Sequence, residues 1–391
     1  MLRPVVRLRP REGRRLRAGA PWAYSNELAP LPDGLEAGAL VRLEGDDGAR
    51  FGTAMLNPHS LIAARVLDRD PDAVIDTAWF RARLRAAIDL RARVCDSAFH
   101  RLVHAEADFL PGLIIDRFDD VIVLQANTAG MDRLLAELTA ALGAELGPRA
   151  IVARNDTPAR AQEGLAQSVA LLHGNEAATV VVEAGLRFPI DPLGGQKTGW
   201  FFDQRGNRDR IAALAAGAVV LDVFCHTGGF GLRAAAAGAR GVVLVDSSAP
   251  ALAAAAAAAA ANGLAAQVTT RRDDAFAAME ALAAAGERFD LVICDPPAFA
   301  RTRKDAEAGL RAYARMARLA AVLVAPGGVL FVASCSHHAP LEAFAARIAE
   351  GLFRARRQGR ILATSGAGPD HPVHPALPET AYLKAQLIQL M

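Results

Sequence analysis

Residues 219–232 read VVLDVFCHTGGFGL, and no other stretch restricts the available folds as much. An apolar β-branched run closes with Asp222 and Phe224, passes through Thr227, Gly228, Gly229 and Gly231, and enters an alanine-rich segment. That order predicts a strand, a glycine turn and a helix. Glycines let a ligand approach the backbone closely, and the unpaired N–H groups of a helix N-terminus favour anionic groups, so a nucleotide-like cofactor is expected. Gly229, Gly231 and Ala234 also satisfy the dinucleotide fingerprint, which leaves a nicotinamide cofactor open at this point.

Strand-like and helix-like segments alternate from Val219 to the end: GVVLVD, an alanine-rich helix, QVTTRRD, FDLVICD, a long helix from about Asp305, GVLFVAS, another helix and AYLKAQLIQL. Such alternation predicts a doubly wound α/β domain. Ligands of open α/β sheets bind beyond the carboxyl ends of the strands. Asp246, Asp273, Asp274, Asp295 and Cys335 all follow strands and are expected on one rim. Asp246 lies 18 residues beyond Gly228, near the spacing of an acid that accepts hydrogen bonds from a ribose. Asp274, with Phe276 close by, suits an adenine amino group.

Two of these strand ends carry more than position. Asp295, Pro296, Pro297, Ala298 and Phe299 predict a rigid turn headed by a carboxylate and ending in an exposed aromatic, suited to a planar amino-bearing base. A dehydrogenase has no use for it. Ser334, Cys335 and Ser336 place a thiol between two hydroxyls, with His337 and His338 after them. Cys225 and Cys294 read instead as small buried hydrophobes. The four cysteines show no metal-type pairing, and neither a metal nor a disulfide framework is expected.

At 391 residues the chain is long enough for two or three domains, and 52% hydrophobic with 22% charged residues describes a well-buried enzyme. Residues 1–75 read as a small β-rich unit whose entry carries Arg3, Arg7, Arg9, Arg11, Arg14, Arg15 and Arg17. With a net charge of only +2, contact with a polyanion has to come from such clustering. Solvated charge is the competing reading, and Trp22 and Tyr24 read equally as stacking surface or core. Residues 76–185 predict an α+β unit in which Glu106, Asp108 and Asp116 serve turns and solvated faces. Residues 186–391 carry LGGQKTGWFFDQRGNR at 193–208, where Gln196, Lys197, Thr198, Asp203, Gln204 and Arg205 suggest a lid on the cofactor side. No signal peptide or lipid-spanning helix is read, so a reducing cytoplasm is expected.

Taken together, the glycine turn, Asp-Pro-Pro-x-Phe, Ser-Cys-Ser, GQKTGWFFDQR and the late DHPV at Asp370–Val373 resemble class I S-adenosylmethionine-dependent RNA methyltransferases. More narrowly, the chain resembles the ribosomal RNA large subunit methyltransferase I family over nearly its full length, with RLRAGAPWAYSNEL similar to the start of its PUA domain and ADFLPGLIIDRF to its central domain. Ala298 and His226 depart from the pattern, standing where a lysine and a tyrosine-like residue are expected.

The resemblance implies a PUA-like RNA-binding domain (1–75), a central α+β domain (76–185) and a Rossmann-like methyltransferase domain (186–391). It implies S-adenosyl-L-methionine held by Gln196, Lys197, Thr198, Phe224, Thr227, Gly228, Gly229, Asp246, Asp274 and Asp295. The expected activity is methylation of a cytosine C5 in 23S rRNA through a covalent Cys335 adduct, with Asp295 assisting. Pro296, Pro297, Phe299, Arg14 and Arg15 are expected to contact the substrate, with a homodimer left open. Uracil C5 or an exocyclic base nitrogen is the alternative target.

Overall fold

The computed structural model describes residues 3–195, 199–300 and 302–391. The chain divides into two compact units, one of Met1–Val180, Ile190–Phe202 and Pro369–Pro378, the other of Val181–Pro189, Asp203–Gly368 and Glu379–Met391.

The first unit begins with β1 (Val5–Arg7), α1 (Arg14–Arg17), β2 (Trp22–Ala23), β3 (Ala39–Glu44), β4 (Arg50–Leu56) and β5 (Ala64–Asp68), which form a sheet in the order β1-β3-β4-β5-β2. Alternating side chains put Val41, Leu43, Ala54, Leu56 and Val66 into its core. Then come α2 (Thr77–Val94), β6 (Phe99–His104), β7 (Leu113–Phe118), β8 (Val121–Ala126), α3 (Ala129–Arg133), α4 (Leu135–Leu146), β9 (Ala150–Asn155), α5 (Ala159–Gln162) and β10 (Ser168–His173). Their sheet runs β10-β9-β8-β7-β6, and Asp119, at φ 59°, turns β7 into β8.

Asp108 and Asp116 correct the reading of solvated faces, because both are buried in ion pairs. Asp108 takes both ends of the Arg91 guanidinium, and Asp116 accepts from Arg101 Nε at 2.6 Å. Arg91 also donates to the Asp370 carbonyl at 2.8 Å, and the Arg101 N–H to the Asp370 carboxylate at 3.2 Å, which docks the DHPV segment here. Sequence reading passes over the short β2 and α1, over β6 and β10, and over the break at Leu134 between α3 and α4.

A two-stranded sheet, β11 (Thr179–Glu183) and β12 (Leu186–Ile190), follows. The second unit continues with α6 (Arg205–Ala212), β13 (Val219–Val223), α7 (Gly229–Ala236), β14 (Gly241–Asp246), α8 (Ala249–Ala261), β15 (Val268–Arg272), α9 (Ala275–Ala284), β16 (Phe289–Cys294), α10 (Ala306–Leu323), β17 (Val324–Ser334), α11 (Leu341–Arg354), β18 (Gly359–Ser365) and β19 (Lys384–Leu390). The seven strands lie in the order β15-β14-β13-β16-β17-β19-β18. The first five are parallel; β19 runs antiparallel to both β17 and β18.

This order departs from the 3-2-1-4-5-6 of dinucleotide-binding sheets, because the last strand in sequence inserts between the fifth and the sixth. Helices cover both faces of the parallel part, so Leu221, Val223, Leu291, Val292 and Val332 are buried without alternation. The exposed edge strand β18 has no buried face to impose a pattern, and sequence reading passes over it. Among the described residues no helix is long and apolar enough to cross a membrane.

Candidate active site

The turn after β13 holds an unusual backbone. Phe224 and His226 sit at φ 64° and 50°, with Gly228 at 79°. A non-glycine residue in such a conformation costs about 1–3 kcal/mol and persists only where its surroundings enforce it. Enforcement comes from Cys225 N–H to the Val245 carbonyl (3.1 Å), His226 N–H to Asp246 Oδ2 (2.8 Å) and Gly228 N–H to the Cys225 carbonyl (2.8 Å). Asp246 thus braces the turn, and its Oδ1 also accepts from Ser248 N–H at 2.8 Å.

Gly228, at the N-cap position of α7, offers no side-chain cap to the helix. At Gly231 a Cβ would lie 2.3 Å from the Leu244 side chain; the missing atom lets α7 press on β14. The Gly231 N–H donates to Asp222 Oδ2 at 2.9 Å. Asp222 is fully buried, its Oδ1 has no hydrogen-bond partner among the described residues, and burial pushes its carboxyl up to about 8.

The ends of β16 and β17 are tied together. The Ala300 N–H, at the close of the Asp295–Phe299 turn, donates to Ser336 Oγ at 3.2 Å. The Tyr313 hydroxyl, from α10, lies 2.8 Å from both Ser336 Oγ and Ser334 Oγ, and the Ser336 N–H reaches Ser334 Oγ at 3.2 Å. Both neighbours of Cys335 are therefore fixed from below while Cys335 itself stays half-buried. Cys225 and Cys294 are buried, and desolvation raises both thiols, so neither is a nucleophile.

Asp295 accepts from Gln204 Nε2 at 2.9 Å. Gln204 Oε1 in turn takes Asn207 Nδ2 at 2.6 Å, and Asn207 Oδ1 takes the Ser365 hydroxyl at 2.6 Å. This chain of amides leaves Gln204 one orientation and so directs its N–H at the carboxylate. Phe299 is half-buried rather than exposed, a correction to the sequence reading: its ring lies 4.8 Å from Tyr313. With Phe224 and Phe276, at centroid distances of 6.1 and 6.0 Å, it forms an aromatic wall beside the glycine turn.

Asp274 caps α9, its Oδ1 accepting from the Phe276 and Ala277 N–H groups at 3.0 Å. Thr227 lies in the turn and Gly229 opens α7, both half-buried; Pro296 is buried and Pro297 exposed. Gln196, Lys197 and Thr198 lie outside the described residues. Farther along the same segment, Trp200 and Phe202 are buried in the first unit. His337 is exposed, its ring 5.6 Å from Tyr382.

In the first unit Arg14 is exposed on α1, and Arg15 donates to the Tyr24 hydroxyl at 3.2 Å. Sequence reasoning missed Asn207, Tyr313, Ser365 and Lys384 altogether. One signal was available: the chain has three tyrosines and three lysines against 41 arginines, and Tyr313, Tyr382 and Lys384 all lie around this rim. No group of three or more metal-binding side chains occurs among the described residues.

Residues 6–69 match the model of a PUA-like domain, and residues 97–349 that of an S-adenosylmethionine-dependent methyltransferase. The chain is 34% identical over 386 residues to ribosomal RNA large subunit methyltransferase I of Shewanella denitrificans, covering 97% of each protein. It is 35% identical over 402 residues to a ribosomal RNA large subunit methyltransferase of Deinococcus radiodurans, covering 99% of this chain and 98% of that one. Among solved structures, SMU.776 complexed with SAH, described as a methyltransferase, superposes with a TM-score of 0.84 at 21% identity and full coverage of both chains. A chain from Streptococcus mutans described as SAM-dependent gives 0.83 at 21% identity, with 99% of this chain and 100% of that one covered. These two likenesses establish the fold.

Proposed function

The chain belongs to the ribosomal RNA large subunit methyltransferase I family of S-adenosylmethionine-dependent enzymes, and from that premise we propose that it methylates C5 of a cytosine in 23S rRNA through a covalent adduct with Cys335. The cytoplasm is the proposed compartment.

The residues around the glycine turn fit the cofactor. The N-terminus of α7, which Gly228 leaves without a side-chain cap, the enforced conformations of Phe224 and His226, the Asp222 Oδ1 that has no partner among the described residues and the Asp246 carboxylate concentrate donors and acceptors at one strand end. Thr227, Gly228 and Gly229 would hold S-adenosyl-L-methionine from the turn, Asp246 from the neighbouring strand, and Phe224 and Phe276 from the aromatic wall. Gln196, Lys197, Thr198, Asp274 and Asp295 complete the proposed set. When bound, the cofactor supplies a methyl group made electrophilic by its sulfonium.

Cytosine C5 is a poor nucleophile until a thiolate adds at C6. In the proposed cycle the Cys335 sulfur forms a bond to C6 while N3 takes up a proton, and Asp295 holds the N3 and N4 edge. C5 then accepts the methyl group. Loss of the C5 proton to a base, return of the N3 proton and cleavage of the S–C6 bond restore the thiolate and the aromatic ring. Pro296, Pro297 and Phe299 would shape the base pocket. The target has to be unpaired or flipped out of its helix, and the arginines of the first unit, Arg14 and Arg15 among them, would hold the flanking phosphates.

One observation carries this reading: the Ala300 to Ser336 hydrogen bond joins the Asp295 turn to the Cys335 strand end, with Cys335 half-buried between two anchored serines. Cys335→Ala should bind S-adenosylhomocysteine as the parent does yet form no 5-methylcytosine, measured by nucleoside mass spectrometry of 23S rRNA. Undiminished turnover would refute the covalent scheme, and a mark on uracil C5 or an exocyclic nitrogen would reassign the base.

A further inference from the structure

Lys384 opens β19 directly opposite Ser334, the residue before Cys335, in the antiparallel ladder with β17. Its side chain is buried, and its ammonium donates to two backbone carbonyls of the loop that follows the thiol, Ser336 at 2.6 Å and Ala339 at 2.7 Å. No carboxylate forms a salt bridge with it among the described residues. A buried cation held only by carbonyl dipoles is costly, and a chain using arginine 41 times retains a lysine here. The compact ammonium serves both carbonyls from a single nitrogen.

We propose that Lys384 is a positioning residue for Cys335: its ammonium clamps the loop from Ser336 to Ala339 and sets a fixed positive charge beside the sulfur, favouring the thiolate. This rests on the reading of Cys335 as nucleophile.

The electrostatics agree. Burial lowers Lys384 from its ordinary value, and the one charge opposing that shift is Cys335. The other titratable groups around the thiol are Tyr313 from α10, Asp295 at the end of β16, and His337 and His338 in the loop. Tyr313 is held above its ordinary value, first by burial, with Cys335 contributing. It therefore stays neutral and supplies no competing negative charge. Asp295 shares its charge with the Gln204 amide. Of these groups Lys384 alone is a buried amine donating to the carbonyls of the loop, so its ammonium is the charge able to lower the cost of a sulfur anion.

The test reads the thiol directly. Iodoacetamide alkylation is followed against pH on the Cys335 peptide by mass spectrometry, with S-adenosylhomocysteine calorimetry confirming the fold. The intact protein should reach half-maximal rate below the ordinary cysteine value of about 8.5. Lys384→Met should move that midpoint up by about one unit, which is roughly a tenfold loss of thiolate at pH 7. Lys384→Gln, whose amide keeps two N–H donors for the carbonyls but no charge, should move it likewise and serves if the Met variant does not fold.

A midpoint unmoved in a folded variant overturns the proposal, as does one at or above the ordinary value in the intact protein. The alkylation profile does not require turnover. Persistence of 5-methylcytosine in Cys335→Ala would instead overturn the covalent reading, and the catalytic meaning of Lys384 with it.

Discussion

Asp222 shows how one buried carboxyl couples the site to solution conditions. Complete burial pushes it up to about 8, with Asp295 and Asp246 adding to the rise, whereas an aspartate in an unfolded chain titrates near 4. Between those values the native state holds a proton that the unfolded state lacks. The stabilising contribution is therefore complete below about pH 4 and is lost as pH rises toward 8. Asparagine in its place keeps an acceptor for the Gly231 N–H and cannot ionise. We expect the melting temperature of Asp222→Asn to fall less than that of the parent between pH 6 and 8.5; parallel profiles would show that the carboxyl is already ionised at neutral pH.

At the scale of elements, α10 is the part that aligns the two reactive strand ends. Tyr313 reaches both serines from its buried face, and one turn earlier Gly309 lets the helix backbone meet the Asp295 turn. A Cβ there would lie 2.7 Å from the Ala300 nitrogen and 2.8 Å from the Phe299 carbonyl carbon. Alanine is a better helix former than glycine by about 1 kcal/mol, so on propensity alone Gly309→Ala would stabilise α10. The clash is with backbone, which cannot rotate away, and overpacking of this kind costs about 1–3 kcal/mol. We therefore expect Gly309→Ala to lower thermal stability and, by stretching the Ala300 to Ser336 hydrogen bond, to reduce methyl transfer further than the stability loss explains. A variant at least as stable and active as the parent would mean that the turn is pliable.

The whole molecule carries a net charge of only +2, so its attraction for a polyanion is local. Several amino-terminal arginines already have partners: Arg9 donates to the Leu28 carbonyl, Arg17 pairs with Asp47 at 2.8 Å, and Arg15 reaches Tyr24. Arg14 is exposed on the same short helix. Replacing Arg14 and Arg15 by alanine should weaken RNA binding across sequences and flatten the dependence of log K on log salt by about 0.7–0.9 for each phosphate no longer neutralised. S-adenosylhomocysteine affinity should not change. An unaltered salt slope would assign these arginines to the fold of the first unit alone.

What the sequence determined by itself is what local pattern encodes. The apolar run before Gly228, the glycines that follow it and the regular alternation to the carboxyl terminus specify strands, turns and helices, and the rule of strand ends selects Asp246, Asp295 and Cys335. The rigid Pro-Pro turn and the thiol between serines were likewise visible as chemistry. What only the tertiary structure decided is which polar groups meet. Gln204 lies 91 residues from Asp295, Tyr313 on α10 binds serines at the end of β17, and Lys384 arrives on an antiparallel strand inserted beside β17. The same holds for Asp108 and Asp116, which read as solvated until the guanidinium groups of Arg91 and Arg101 enclose them. Periodicity reports which face of an element is apolar; a polar side chain is solvated or paired according to what distant chain lies opposite, and that is fixed only when the sheet closes.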